Sequence, residues 1–198
     1  MDGVRTQGPA AVGRAEVTYR AATLADVPEL LALVTSAYRG ESSRAGWTTE
    51  ADLLDGQRTD AEAITDIITS RDGLVLVAQE ATEAAAGPAA GRGIVACCQL
   101  ERHGQVGYFG MFAVRPVQQA GGFGSAMLAE AERHARAVWG ADRMEMYVIS
   151  QRADLIAWYA RRGYLPTGET RPFPYGEERF GLPRRDDLAF TVLFKSLR

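Results

Sequence analysis

The chain has 198 residues, 46% of them hydrophobic, which is enough for one domain with a substantial core and too little for two. A net charge of -3 and an isoelectric point near 5.5 give no overall attraction to nucleic acid or to an anionic membrane, so any anion site must be local. No apolar run approaches the roughly 18 to 20 residues of a membrane span, and the first residues lack the apolar core of a secretory signal, so a cytoplasmic protein is expected.

Residues 1–15 are rich in Gly, Ala and Arg without periodicity and read as a mobile tail, leaving 16–198 as a single domain. Val17–Ala21 alternates as a first strand. Thr23 and Asp26 then provide the cap and acidic first turn of a helix whose apolar face, Val27, Leu30, Leu31, Val34 and Ala37, ends near Tyr38. Residues 39–58 are polar and irregular, with Trp47 and the acids Glu41, Glu50, Asp52 and Asp55. Asp60 caps a second helix through Ile64, Ile67 and Ile68. Residues 74–79 and 93–100 are strands, and 81–92, dominated by Ala, Gly, Thr and Glu, is an extended hairpin loop between them.

A turn at His103 and Gly104 leads to 108–114, an uncharged run that fits a central strand covered on both faces. Cys97 and Cys98 are adjacent and would point to opposite faces, which is poor geometry for a disulfide, so they read as small reduced apolar residues. Neither histidine has a ligand partner at a recognisable spacing, and no metal is expected. Pro116 ends strand pairing. From Gly122 onward Phe123, Met127, Leu128, Ala131, Ala135 and Val138 keep a helical period. Residues 144–149 form a strand reached by a crossover, hence parallel to the 108–114 strand. A helix over 152–162 stops at Gly163, and 164–170 and 188–197 are the last strands. Between them lies a long charged loop, 171–187.

The glycines of the turn have a physical use. The first turn of a helix leaves backbone N–H groups without partners and carries a partial positive charge, which suits a diphosphate. Gly121, Gly122 and Gly124 let an anion approach that backbone. A dinucleotide fingerprint is excluded because Met127 stands where the last small residue should be, and a P-loop because Ser125 and Ala126 are not Lys-Ser/Thr. Instead, Val114, Pro116, Gln119, Gly122 and Gly124, with Gln118 as one extra residue, resemble the acyl-CoA signature V-x-P-x-x-[QR]-x-x-G-x-[GA] of the GNAT family of N-acetyltransferases. The segment LIAWYARRGY, 155–164, resembles that family's A-x-x-[LF]-Y-[EK]-[KR]-x-G-[FY], with Tyr159 at the place of its general acid. The order of elements after residue 15 is similar to the family's as well.

The resemblance implies a GNAT fold of the α/β (α+β) class: a mixed, mostly antiparallel central sheet of six to seven strands with flanking helices and a splayed parallel strand pair. It implies acetyl-CoA as acyl donor. Phe112, Ala113 and Val114 would pair with the pantetheine arm, and Gln119, Ala120, Gly121, Gly122, Phe123, Gly124 and Ser125 would hold the diphosphate. Gly110 is compatible with the family's strand bulge, a backbone N–H near Phe112 would stabilise the oxyanion, and Tyr159 would give its proton to the CoA sulfur. The expected partner is a small amine or amino-acid-like acceptor rather than a protein tail, with no nucleic acid and with a homodimer allowed.

Two departures stand out. The family's asparagine seven residues before the tyrosine is Arg152 here, which reads either as a partner of a CoA phosphate or as a solvated helix-start charge. The central strand holds no acid, so candidate bases move to Glu101, Glu50, Asp52 or Asp55, or a dedicated base is absent. That missing acid keeps a non-catalytic acyl-CoA-binding or sensing domain open as a second reading. Residues 38–58 and 171–185 are the expected walls of the acceptor pocket. Trp47, Phe173 and Tyr175 supply apolar surface, Glu50 and Asp52 suit an ammonium, and Arg171, Arg179, Arg184 and Arg185 suit a carboxylate.

Overall fold

Seven strands form one sheet across residues 17–80 and 93–198, which are the residues the computed structural model describes. The expected tail over 1–15 and the loop over 81–92 lie outside the described residues. In chain order the elements are β1 (Val17–Ala21), α1 (Val27–Tyr38), α2 (Ala61–Thr69), β2 (Gly73–Glu80), β3 (Ile94–His103) and β4 (Val106–Val114). They are followed by α3 (Phe123–Trp139), β5 (Arg143–Ile149), α4 (Ala153–Ala160), β6 (Leu165–Pro172) and β7 (Ala189–Ser196). The sheet order is β1-β2-β3-β4-β5-β7-β6, antiparallel throughout except between β4 and β5. No helix among the described residues is long and apolar enough to cross a membrane.

Local signals place the helices. Thr23 donates its N–H (2.7 Å) and its hydroxyl (3.0 Å) to Asp26 Oδ2 in the turn that leads into α1. Two bonds from Arg20, each 2.8 Å, together with those from Thr23, hold the Asp26 carboxyl down at about 2. Asp60 caps α2 by accepting the Ala63 N–H at 2.7 Å. In the last turn of α3 the expected core position Val138 is 61% exposed; its neighbour Trp139 packs on the core instead.

The sheet has an apolar layer on each face. Leu30, Val34 and Ile64 from α1 and α2 cover Val75, Val77, Cys97 and Ala113. Met127, Leu128 and Ala131 from α3 cover Leu100, Cys98, Phe109 and Val114. Side chains such as Leu30, Ile64 and Leu100, fully removed from water, contribute about 1.5–3 kcal/mol each. β4 is thus buried on both sides, and Cys97 and Cys98 lie in opposite layers as free thiols. Burial raises both, Cys97 to about 12.

Parallel pairing of β4 with β5 covers only Val106–Tyr108 against Arg143–Glu145. Beyond it β4 runs on to Val114 and β5 to Ile149 without pairing each other, and β5 is held from its far side by β7. Two segments wall the gap. The first, expected to be irregular, contains a short helix, Gly40–Ser43, and the strand pair Leu54–Asp55 that joins Leu182–Pro183 of the long loop. Arg184 reinforces that junction with two 2.7 Å bonds to Asp55.

Candidate active site

The gap between β4 and β5 is a cleft of roughly 700 Å³ with its open mouth included. Tyr108 to Phe112 form one side and Met146 to Ile149 the other. Leu155 and Tyr159 of α4 close one end, and Tyr38, Glu50, Leu54 and Arg58 of the first wall face Phe173, Phe180 and Phe190.

β4 carries its bulge here. Cys97 opposes Ala113 while Gln99 opposes Gly110, so Met111 and Phe112 together face Cys98. The left-handed residue at the bulge is Met111, at φ 41°. Gly110 serves a different need: the Tyr108 ring folds over it, and a Cβ there would stand 2.8 Å from a ring carbon and 2.9 Å from the hydroxyl oxygen. Tyr108 thereby lies along the cleft floor, its phenol pushed up to about 12 by burial.

Tyr159 sits on α4 because Leu155, Ile156 and Trp158 anchor that helix to the sheet. Its ring is held by Phe109, Trp158 and Tyr164, with centroids 6.5, 5.0 and 5.7 Å away. Tyr159 lines the cleft, and its hydroxyl has no hydrogen bond to a described residue. Burial pushes this phenol well above its ordinary range, so it keeps its proton. Nearby, the Tyr38 hydroxyl donates to the Phe112 carbonyl, and Gln119 Nε2 donates to the Val114 carbonyl at 3.1 Å. Each carbonyl retains one lone pair for another donor.

The glycine turn stands at the end of β4. Pro116–Gly121 forms a 3₁₀ turn, Gly122 takes φ 81°, and the first bond of α3 runs from the Ala126 N–H to the Gly122 carbonyl at 3.1 Å. The N–H groups of Phe123, Gly124 and Ser125 therefore have no acceptor within the helix. Gly124 is small for packing as much as for access, since a Cβ would meet Phe112 at 3.3 Å and Trp158 at 3.6 Å. The Gln119 side chain is spent on the first wall, accepting the Trp47 N–H at 2.8 Å and donating to Thr48 Oγ1 at 2.8 Å.

Sequence reasoning missed Arg162. Its guanidinium lies 3.5 Å over the Trp158 ring and donates from Nη2 to Ser125 Oγ at 2.6 Å, setting a cation beside the free N–H groups of α3. The signal existed: Trp158 and Arg162 are four residues apart on one helix face.

Arg152 is neither a phosphate partner nor a solvated charge. It is 7% exposed, and its Nη atoms donate to the carbonyls of Trp47, Thr48 and Thr49, all at 3.1 Å. It also holds Asp154 at 3.0 Å. Burial opposes its charge, but Asp154 and Glu50 outweigh that and raise its pKa. Arg152 ties the first wall to the start of α4.

Of the candidate bases only Glu50 lines the cleft, and Arg39 holds it at 2.7 Å with Arg58 at 3.7 Å. Asp52 and Asp55 are exposed and paired with Arg44 and Arg184, while Glu101 pairs with Gln99 and His103 outside the cleft lining. Among the expected aromatics Phe173 lines the cleft; Tyr175 meets its ring edge-on at 5.2 Å, and Trp47 sits against Trp158 at 5.9 Å. Arg184 and Arg185 are engaged by Asp55 and Asp187.

A model of the acetyltransferase (GNAT) family matches residues 43–164, and the chain belongs to that family. Solved structures show the same fold. The ribosomal-protein-S18-alanine N-acetyltransferase of Escherichia coli aligns with TM-score 0.61 at 14% identity, over 92% of this chain and 94% of that one. A GNAT-family acetyltransferase of Staphylococcus aureus Mu50 aligns with TM-score 0.61 at 13% identity, over 92% and 100%. The spermidine/spermine N-acetyltransferase of Vibrio cholerae aligns with TM-score 0.61 at 12% identity, over 91% and 92%. No curated protein matches the sequence. The mixed seven-stranded sheet with its splayed parallel pair is the fold these chains share.

Proposed function

We propose that residues 16–198 are a single N-acetyltransferase domain that moves an acetyl group from acetyl-CoA to the amine of a small acceptor. The observation that carries this reading is Tyr159, which lines the same cleft as the bulge residues of β4, with a phenol that burial keeps protonated and a hydroxyl without a hydrogen bond to a described residue. The residues present fit the donor: the β4 edge at Phe112, Ala113 and Val114 for the pantetheine amides, and the backbone from Gln119 through Ala120, Gly121, Gly122, Phe123 and Gly124 to Ser125 for the diphosphate. Arg162 adds a positive charge at that end.

Bound acetyl-CoA supplies an activated acyl thioester. The backbone N–H groups at the bulge donate to the carbonyl oxygen as charge gathers on it. As the amine nitrogen bonds to the carbonyl carbon and the C–S bond breaks, the Tyr159 hydroxyl gives its proton to the sulfur. No uncommitted carboxylate lines the cleft, so the amine enters neutral and its proton leaves through the open mouth.

The test is the thermal midpoint with acetyl-CoA, CoA, ATP and NAD. Ligand at about 100 times its dissociation constant adds about 2.7 kcal/mol, which for a chain of this size is roughly 5–10 °C. A shift with acetyl-CoA and CoA alone supports the reading; a shift with ATP or NAD instead, or none, refutes it. The sensing-domain alternative predicts the same shift but no thiol release with any amine.

A further inference from the structure

Arg58 is the charged group of the cleft that the chemistry above leaves unused. Its side chain is 29% exposed, and none of its N–H groups has a hydrogen bond to a described residue. The nearest anion is Glu50 Oε2, 3.7 Å from Nε, and that oxygen already receives Arg39 Nη1 at 2.7 Å. Two guanidiniums therefore share one carboxylate, leaving one positive charge uncompensated. The third guanidinium of the cleft wall, Arg152, is committed to three backbone carbonyls and Asp154. The Tyr38 ring, 5.3 Å from the Arg58 guanidinium carbon, attracts the cation without accepting its hydrogen bonds.

The open donors of this cleft-lining guanidinium are available to an anionic group of an entering molecule. Burial opposes the Arg58 charge, yet Glu50 and the Tyr38 and Tyr108 phenols raise its pKa on balance, so it stays a cation. The planar fork pairs bidentately with a planar anion such as a carboxylate, as it does with a phosphate. Tyr108 and Tyr147 line the same cleft, and their hydroxyls also have no hydrogen bond to a described residue. A polycation entering this space would meet the surplus charge of Arg58 and find the only carboxylate of the lining already paired.

We propose that Arg58 selects the acceptor by pairing with its carboxylate, so that the substrates are amino acids and related molecules with both a free amine and a carboxylate, and polyamines are rejected. This rests on the acetyltransferase reading above.

The experiment compares matched acceptors that differ only in the carboxylate: L-phenylalanine with phenethylamine, L-tyrosine with tyramine, L-leucine with isoamylamine, and spermidine beside them. Two quantities are read on the full chain and on Arg58→Gln and Arg58→Lys: thiol release from acetyl-CoA, and the thermal midpoint with each compound alone. In the native protein the acids exceed their amines by roughly 10- to 100-fold in kcat/KM or apparent affinity, the worth of a charge-assisted pair. The ratio falls toward one in Arg58→Gln and lies between in Arg58→Lys, which keeps the charge and loses the fork. The proposal is overturned if amines or spermidine serve as well as acids, if the preference survives in Arg58→Gln, or if no acid moves the midpoint more than its amine. Absence of any response to acetyl-CoA in the same plates is a separate result, against the acetyltransferase reading; the midpoint comparison of acids with amines stands without it.

Discussion

Replacing Arg152 by Met removes the clasp between the first wall and α4 while keeping most of the side chain's volume. The carbonyls of Trp47, Thr48 and Thr49 each lose a donor at 3.1 Å. A hydrogen bond to a charged group contributes about 1.5–3 kcal/mol. The bond to buried Thr48 counts in full, the two part-buried ones at about half, and the ion pair with Asp154, whose side chain is 56% exposed, at nothing. Allowing for the apolar contacts that Met retains, the variant is less stable by about 3 kcal/mol, or about 6–12 °C in thermal midpoint for a chain of this length. Because the clasp also fixes Glu50 and Arg58 through the first wall, the acceptor KM rises, while the acetyl-CoA dissociation constant at the glycine turn is unchanged. Circular dichroism melts and calorimetric titration of CoA measure the two effects. A midpoint within about 2 °C of the native value, combined with a roughly tenfold loss of acetyl-CoA affinity, would refute the reasoning and return Arg152 to the role of a phosphate partner.

Arg162→Gln removes the cation beside the first turn of α3; the KM for acetyl-CoA rises about tenfold and its salt dependence flattens, while the acceptor KM holds, which steady-state kinetics at two ionic strengths will show. Asp26→Asn tests the Arg20 pair. The folded pKa of Asp26 is about 2 against an ordinary 3.8, so its contribution is whole above about pH 4 and lost as pH falls toward 2. With Arg20 38% exposed and the pair screened accordingly, the variant is less stable by about 1 kcal/mol at pH 7, and urea midpoints of the two proteins converge as pH drops through that window.

How much the sequence disclosed depended on the range of the interactions. The β4-turn-α3 unit was legible because its signals are local: an uncharged strand, a proline that ends pairing, glycines, then a helical period. Even there, Val138 was placed in the core by periodicity although Trp139 covers that end. The bulge was expected only through the family resemblance, with which Gly110 is compatible; the left-handed residue is Met111, while Gly110 makes room for the Tyr108 ring. Residues 39–58 looked like a polar loop because their partners are distant in sequence. Arg152 reaches back to Trp47, Thr48 and Thr49, Gln119 reaches Thr48, and Leu54 pairs with Pro183. Nothing local marks Arg39, Glu50 and Arg58 as one ionic group, and the acceptor end of the cleft was correspondingly the least readable.

The central claim, acetyl transfer with Tyr159 as the proton donor, is tested most directly by thiol release from acetyl-CoA in the native protein and in Tyr159→Phe, each at saturating acceptor, with acetyl-CoA affinity measured in parallel. Loss of one general acid lowers kcat by roughly 100-fold, leaves acetyl-CoA affinity near the native value, and removes no hydrogen bond among the described residues, so the thermal midpoint holds. Burial keeps the phenol protonated, so native activity shows no decline attributable to Tyr159 between pH 7 and about pH 10. Equal turnover by the two proteins would contradict the account, and a native protein that binds acetyl-CoA yet releases no thiol would decide for the sensing domain.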